Sequence, residues 1–340
     1  MIKKIFCITC CILLLGGCHA EDSEKAGSDK EDKRMIIAME TTMDLAVYGG
    51  EEAVLDEMEE RIRELDKKLS VTNEKSQISK LNRNGSAKVS ADVYGLVEKA
   101  LKFSEATDGA FDISIYPLVK AWGFTLDNPH VPELSEIEAA KAVVNYRNVK
   151  LKDCEIALDP GMQIDLGGIA KGYLGDELIK ILKKHKIKSA LLNLGGNVVA
   201  HGSRPDGTDW RVALTDPNGD EYAGIIAVRD KSIITSGGYE RFFKDENGKV
   251  YWHIMDSRTG YPADNGLISA TIVGKSGVQG DAMSTALFVM GTERAIEFCK
   301  AQNDFDVILI TKDMEFYITE GLKENFNLTD KYAEKTVHII

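Results

Sequence analysis

Hydrophobic and polar positions follow two periods along this chain, and the change of period divides it. Residues 38–47 read as an opening strand. From 51 to 69 apolar side chains recur at helical spacing, with Val54, Leu55, Met58, Ile62, Leu65 and Leu69 on one stripe and charged residues on the other face. A second helix is predicted over 92–105 behind a Ser90 cap. A third starts at Ser135, where Ser135 and Glu138 make a capping-box pattern, and a fourth covers 169–185 directly after Gly167 and Gly168. Beyond it the runs shorten to strand length, at 190–194, 210–215, 223–228, 250–255 and 267–273, separated by turn signals such as Pro205-Asp206-Gly207. Helical stretches over 281–288 and on to about residue 300, then a strand at 305–311, close the pattern. This mixture predicts an α+β fold of packed helices and mixed strands, in one compact unit without repeats.

The N-terminus departs from that pattern. Lys3 and Lys4 precede an apolar run over 5–15 that ends in Gly16, Gly17 and Cys18, and this resembles a bacterial lipoprotein signal rather than a membrane span. The resemblance implies cleavage before Cys18, lipidation of that cysteine, and an extracytoplasmic protein anchored to the cell membrane. The polar, charged segment that follows is expected to be a flexible tether over 19–35, leaving a domain over 36–320 and a C-terminal extension over 321–340.

Formal net charge is −12, and loss of the two leader lysines takes it to −14, a poor surface for nucleic acid. Beyond the leader only Cys154 and Cys299 remain, enough for one disulfide but not for a cysteine-stapled fold or a structural zinc framework.

Several segments carry candidate chemistry. In DLGGIAKGY at 165–173, glycines before a helix let backbone amides converge on an anion, with Lys171 adding charge; a tight strand-to-helix turn is the plainer alternative. The spacing matches neither a dinucleotide fingerprint nor a P-loop. Asp281 and Thr285 are four apart at the start of a helix and share a face, so they offer two hard oxygens to magnesium, or else a helix cap and an inward hydroxyl. Strand alternation sets His253 on the face of Tyr251 and Met255, where it serves as base, as donor to phosphate, or as a core residue. The loops at 193–197 and 235–241 are rich in glycine and small polar groups, and admit a planar ring or a diphosphate, or are simply tight turns. The aromatic stretch from Phe111 to Phe124 walls a pocket or closes the core.

Taken together these segments resemble the ApbE family of flavin transferases. The matching pieces are TTM at 41–43, GAFDIS at 109–114, PLVKAWGF at 117–124, DLGGIAKGY at 165–173, NLGGN at 193–197, TSGGYERFF at 235–243, HIMDSRTGYP at 253–262 and DAMSTALFVMG at 281–291. The resemblance implies an α+β domain that takes FAD and magnesium (Mg2+), transfers FMN to a Thr or Ser hydroxyl of an acceptor protein through a phosphoester, and releases AMP. It implies Asp281 and Thr285 as metal ligands with a carbonyl near Gly167, His253 as the group that activates the hydroxyl, and Asp281 as catalytic through the metal. Met43, Trp122, Phe124, Lys171, Tyr173, Asn193, Gly195, Gly196, Ser236, Gly237, Tyr239, Arg241 and His253 become expected contacts or walls of the FAD site, and Asp176 a residue that orients the 165–172 loop. Acceptors would be exported or membrane respiratory flavoproteins. Ser257 and Arg258 stand where relatives often carry a proline followed by a basic or polar residue. The competing readings are an FAD diphosphatase giving FMN and AMP, and a non-catalytic flavin-binding lipoprotein.

Overall fold

A computed structural model describes residues 30–125, 128–219 and 221–340; the leader, Cys18 and the tether up to residue 29 lie outside the described residues. Nine strands form one sheet in which each pairs with the strand before it. They are β1 (Glu31–Ala38), β2 (Thr41–Tyr48), β3 (Ser189–Leu194), β4 (Asn197–Gly202), β5 (Lys231–Gly237), β6 (Leu267–Gly274), β7 (Phe305–Thr311), β8 (Phe316–Ile318) and β9 (Val337–Ile339). All pairs are antiparallel except β8 with β9.

Six helices occupy the excursion between β2 and β3: α1 (Glu52–Leu69), α2 (Gln77–Asn84), α3 (Ala91–Ala106), α4 (Tyr116–Ala121), α5 (Leu134–Lys141) and α6 (Gly167–Lys184). The long α7 (Gly277–Lys300) follows β6. The architecture is the expected α+β. Helices cover one face of the sheet, and a small sheet of Trp210–Thr215, Tyr222–Val228 and Phe326–Leu328 covers the other. Strand alternation feeds both layers: in β7, Val307 and Leu309 face the helices while Ile308 and Ile310 face the small sheet. The α1 stripe is buried as its spacing predicts.

The structure moves several expected boundaries. The opening strand is a hairpin, because the backbone reverses at Met39 and Glu40. β1 therefore takes up the end of the segment expected as tether. The cap of the third helix lies two residues early: Glu133 caps it, and its N–H donates to Glu136 Oε2 at 2.9 Å, so the box is Glu133/Glu136 rather than Ser135/Glu138. Gly167 and Gly168 form the first turn of α6 instead of preceding it. The run 250–255 breaks into Val250–Trp252 and Met255–Asp256, and His253 leaves the strand between them. Residues 321–340 are part of the fold, since Phe326–Leu328 pairs with Tyr222–Val228 and β9 pairs with β8. Cys154 and Cys299 are both free thiols. Among the described residues no helix is long and apolar enough to cross a membrane.

Candidate active site

Antiparallel pairing brings the start of β2, the end of β3, the start of β4 and the end of β5 to one end of the sheet. Against that end stand the first turns of α6 and the N-terminal part of α7. The two helices cross where glycine permits contact: a Cβ on Gly172 would lie 2.1 Å from the Gly277 carbonyl oxygen and 2.7 Å from the Asp281 Cβ. Asp176 locks the crossing, its carboxylate accepting the N–H groups of Gly277 at 2.6 Å and Val278 at 3.1 Å at the start of α7. It thus orients α7 rather than the loop before α6.

This crossing seats Asp281, which is only 5% exposed. Its Oδ2 accepts the Gly172 N–H at 2.8 Å and its Oδ1 accepts the Asn197 amide at 3.2 Å. Burial pushes its carboxyl above the usual range, opposed by the charge of Lys171. One turn on, Thr285 meets the first turn of α6, where a Cβ on Gly168 would come 3.4 Å from Thr285 Oγ1. Ser236 Oγ from β5 lies 3.2 Å from Thr285 Oγ1 and 2.9 Å from Ser284 Oγ.

Lys171 donates to the Gly195 carbonyl at 3.1 Å, tying α6 to the β3–β4 turn. That turn needs its glycines: Gly195 has φ +68° and Gly196 has φ +97°. Asn193 shapes it by accepting the Gly196 N–H at 2.9 Å.

The strand β5 continues through Gly237 and Gly238 into Tyr239, Glu240 and Arg241. The Tyr239 ring packs on Gly237. Glu240 is exposed at the cleft, where its carboxyl feels the charges of Lys171, Asp281 and Arg241. The Arg241 carbonyl accepts the His253 N–H at 3.0 Å and faces His253 Nδ1 at 3.3 Å. An Nδ1–H donor in this contact leaves Nε2 as the ring's free acceptor. Burial, then Arg241 and Lys171, pull the His253 imidazole down to about 4, so it is neutral at pH 7. Opposite it, the Arg241 guanidinium donates to Glu40 Oε2 at 2.8 Å.

Gly167, Lys171, Asn193, Gly195, Gly196, Ser236, Gly237, Tyr239, Arg241, His253, Asp281 and Thr285 thus gather at one end of the sheet. Four of the expected contacts have side chains engaged elsewhere in this structure. Met43 is 0% exposed, in the main core. Trp122 is also 0% exposed; its indole N–H donates to the Gly260 carbonyl at 3.0 Å, and it centres a satellite cluster with Leu118, Ile137, Tyr251 and Met255. Phe124 packs on Phe243 beside that cluster. Tyr173 lies two residues beyond Lys171, about 200° around α6. It faces Arg61, Glu177 and Lys99 instead of the cleft, and burial raises its hydroxyl to about 12. Aromatic character alone did not separate core rings from ligand-facing ones.

Glu40, Asn197, Ser284 and Glu240 were not singled out from the sequence. Glu40 directly precedes TTM, Asn197 closes NLGGN and Glu240 lies inside TSGGYERFF, so their motifs were visible but their directions were not.

The Asp281 carboxylate and the Thr285 hydroxyl are hard-oxygen donors one helical turn apart, and among the described residues no three His, Cys, Asp or Glu side chains cluster as a metal group. Buried Asp281 makes no ion pair among the described residues, so a bound cation would offset the burial that disfavours its charged form.

A family model described as the ApbE family matches residues 39–309. An FAD:protein FMN transferase of Klebsiella pneumoniae (strain 342) is 33% identical over 302 residues, covering 86% of this chain and 93% of that protein. One of Treponema pallidum (strain Nichols) is 31% identical over 353 residues, with 96% of each chain covered. The crystal structure of an ApbE protein from Thermotoga maritima superposes with TM-score 0.81 at 31% identity, covering 87% of this chain and 99% of that one. The Pseudomonas stutzeri flavinyl transferase ApbE, in its apo form, gives 0.76 at 26% identity, over 90% and 97%.

Proposed function

The chain belongs to the ApbE family and is, like the relatives it matches over most of their length, an FAD:protein FMN transferase; we propose that it uses magnesium, joins FMN to a Thr or Ser hydroxyl of its acceptor through a phosphoester, and releases AMP. The observation that carries this reading is the meeting of Asp281, Thr285 and Lys171 with His253 and Arg241 at one end of the sheet, a carboxylate and hydroxyl for a metal beside cations for a diphosphate and a neutral base.

Asp281 and Thr285, with the Gly167 carbonyl, would hold the ion, and its positive charge would neutralise the diphosphate and the departing AMP. Lys171 and Arg241 add charge for the phosphates, and the glycine turns at 195–196 and 237–238 let the ligand approach the backbone. Neutral His253, anchored on the Arg241 carbonyl, accepts the proton of the acceptor hydroxyl, whose oxygen bonds to the FMN phosphorus as the bond from that phosphorus to the AMP oxygen breaks.

The leader ending in Cys18 supports an extracytoplasmic, lipid-anchored enzyme serving exported or membrane flavoprotein acceptors.

The test is mass spectrometry of a candidate acceptor incubated with the protein, FAD and magnesium, with AMP followed in parallel and Asp281→Asn as control. An FMN-sized gain on Thr or Ser with matching AMP supports transfer. FMN and AMP without modified protein would instead mean hydrolysis, and FAD that stays intact would leave only a flavin binder.

A further inference from the structure

The β1–β2 turn puts Met39 and Glu40 both in the left-handed region, at φ +48° and +58°. Asn and Gly take that turn at little cost, whereas Met and Glu side chains strain it. The turn is nevertheless held from two sides. The Met39 N–H donates to Asp66 Oδ1 on α1 at 3.1 Å, and Thr41 packs so close to Gly195 that a Cβ there would lie 2.3 Å from Thr41 Oγ1. Strain kept this firmly at the rim of a site points to use.

From this turn Glu40 reaches Arg241, with the two side chains 54% and 53% exposed. The backbone of Arg241 is fixed by His253 on the opposite side, so its guanidinium is the part free to swing. Two other carboxyls, Asp165 and Glu240, feel the charge of Arg241, but Asp165 is tied to the Gly167 N–H at 2.8 Å and neither makes an ion pair with the guanidinium. Glu40 is the carboxylate that meets the guanidinium directly.

We propose that Glu40 is a positioning residue that holds the Arg241 guanidinium at the rim of the cleft and yields it to the diphosphate of incoming FAD. The inference rests on the proposed function above. An exposed carboxylate pair is weak and screened by salt, whereas a phosphate takes a guanidinium through two parallel hydrogen bonds. The exchange therefore runs toward substrate, and the Glu40 pair sets how much of the Arg241 interaction appears as affinity.

FAD binding to the protein, followed by flavin fluorescence without magnesium or acceptor so that nothing turns over, tests this. Glu40→Gln is expected to tighten binding about threefold to fivefold at low ionic strength, and the gain should shrink as salt rises. Glu40→Asp keeps the charge but shortens the reach, and should tighten it as well. In an Arg241→Gln background neither change should alter affinity. Unchanged or weaker binding by Glu40→Gln overturns the proposal. The same gain without Arg241, or no gain from Glu40→Asp, also overturns it, by making Glu40 a simple repeller of the anion. If the wild-type protein takes no FAD either with or without magnesium, the functional reading falls and this inference with it; if it binds FAD and Glu40→Gln matches it, only this inference falls.

Discussion

At the scale of single residues the site depends on how Asp281 and His253 are held. Both oxygens of Asp281 are engaged by neutral donors, Gly172 N–H and the Asn197 amide, which fix the carboxylate without cancelling its charge. Asp281→Asn should therefore leave the fold intact and lower transfer by about a hundredfold or more, measured as modified acceptor per minute. Asn197→Leu removes only the orienting donor, and should weaken magnesium binding by about tenfold to a hundredfold in a direct titration. His253 makes a prediction in pH. Burial and the charges of Arg241 and Lys171 favour its neutral form, so in the FAD-free protein it should titrate near 4, against about 6.5 in an unfolded chain. Between those values the folded chain binds fewer protons at this site, so its contribution to stability is complete above about 6.5 and declines as pH falls toward 4. NMR of the histidine ring, with His253→Ala assigning one signal among the six, checks it; a midpoint near 6.5 would contradict the packed, cationic setting.

At the scale of elements, the α6–α7 crossing decides where the candidate ligands stand. Gly172→Ala would drive a Cβ into the Gly277 carbonyl, a backbone atom that cannot swing aside. We expect a stability loss of about 1–3 kcal/mol by denaturant unfolding, together with lost transfer because α7 carries Asp281 and Thr285. Gly95 is the contrast. It sits inside α3 with nothing within 4 Å of an added Cβ and with no positive φ, so Gly95→Ala should gain about 0.5–1 kcal/mol in the same assay and leave transfer unchanged. The stripe of α1 was legible because six apolar positions repeat at one period. The cap of α5 was not, because Ser135 begins the expected capping pattern while Glu133 is an unusual cap that only the backbone geometry selects.

At the scale of the whole molecule, the last twenty residues close the structure. Leu322, Phe326 and Tyr332 are buried, and Asp216 accepts both Lys331 Nζ at 2.6 Å and the Tyr332 hydroxyl at 2.8 Å. Three large side chains at about 1.5–3 kcal/mol each rival the net stability of a typical domain, so a chain ending at residue 320 should unfold or aggregate when its thermal melt is compared with the full protein. The opposite end makes a cellular prediction: Cys18→Ala should move the protein from the membrane fraction to the soluble one, read by fractionation and immunoblot.

Periodicity in the sequence determined that α1, α3, α6, strands β3, β6 and β7 and an α+β mixture would form, because a buried stripe must repeat with its element's own geometry, whereas the central strands β4 and β5 were not marked by it. The glycine and acidic motifs fixed which segments carry chemistry, through residue types that do not depend on distant neighbours. The sequence could not decide direction. Lys171 and Tyr173 share one motif yet point to opposite sides of α6, and Trp122 and Met43 lie in motifs yet fill the core. Nor did it foresee that Glu40 would meet Arg241 across the chain. Those outcomes belong to tertiary structure, because the face a side chain presents is set by what packs against the rest of its element.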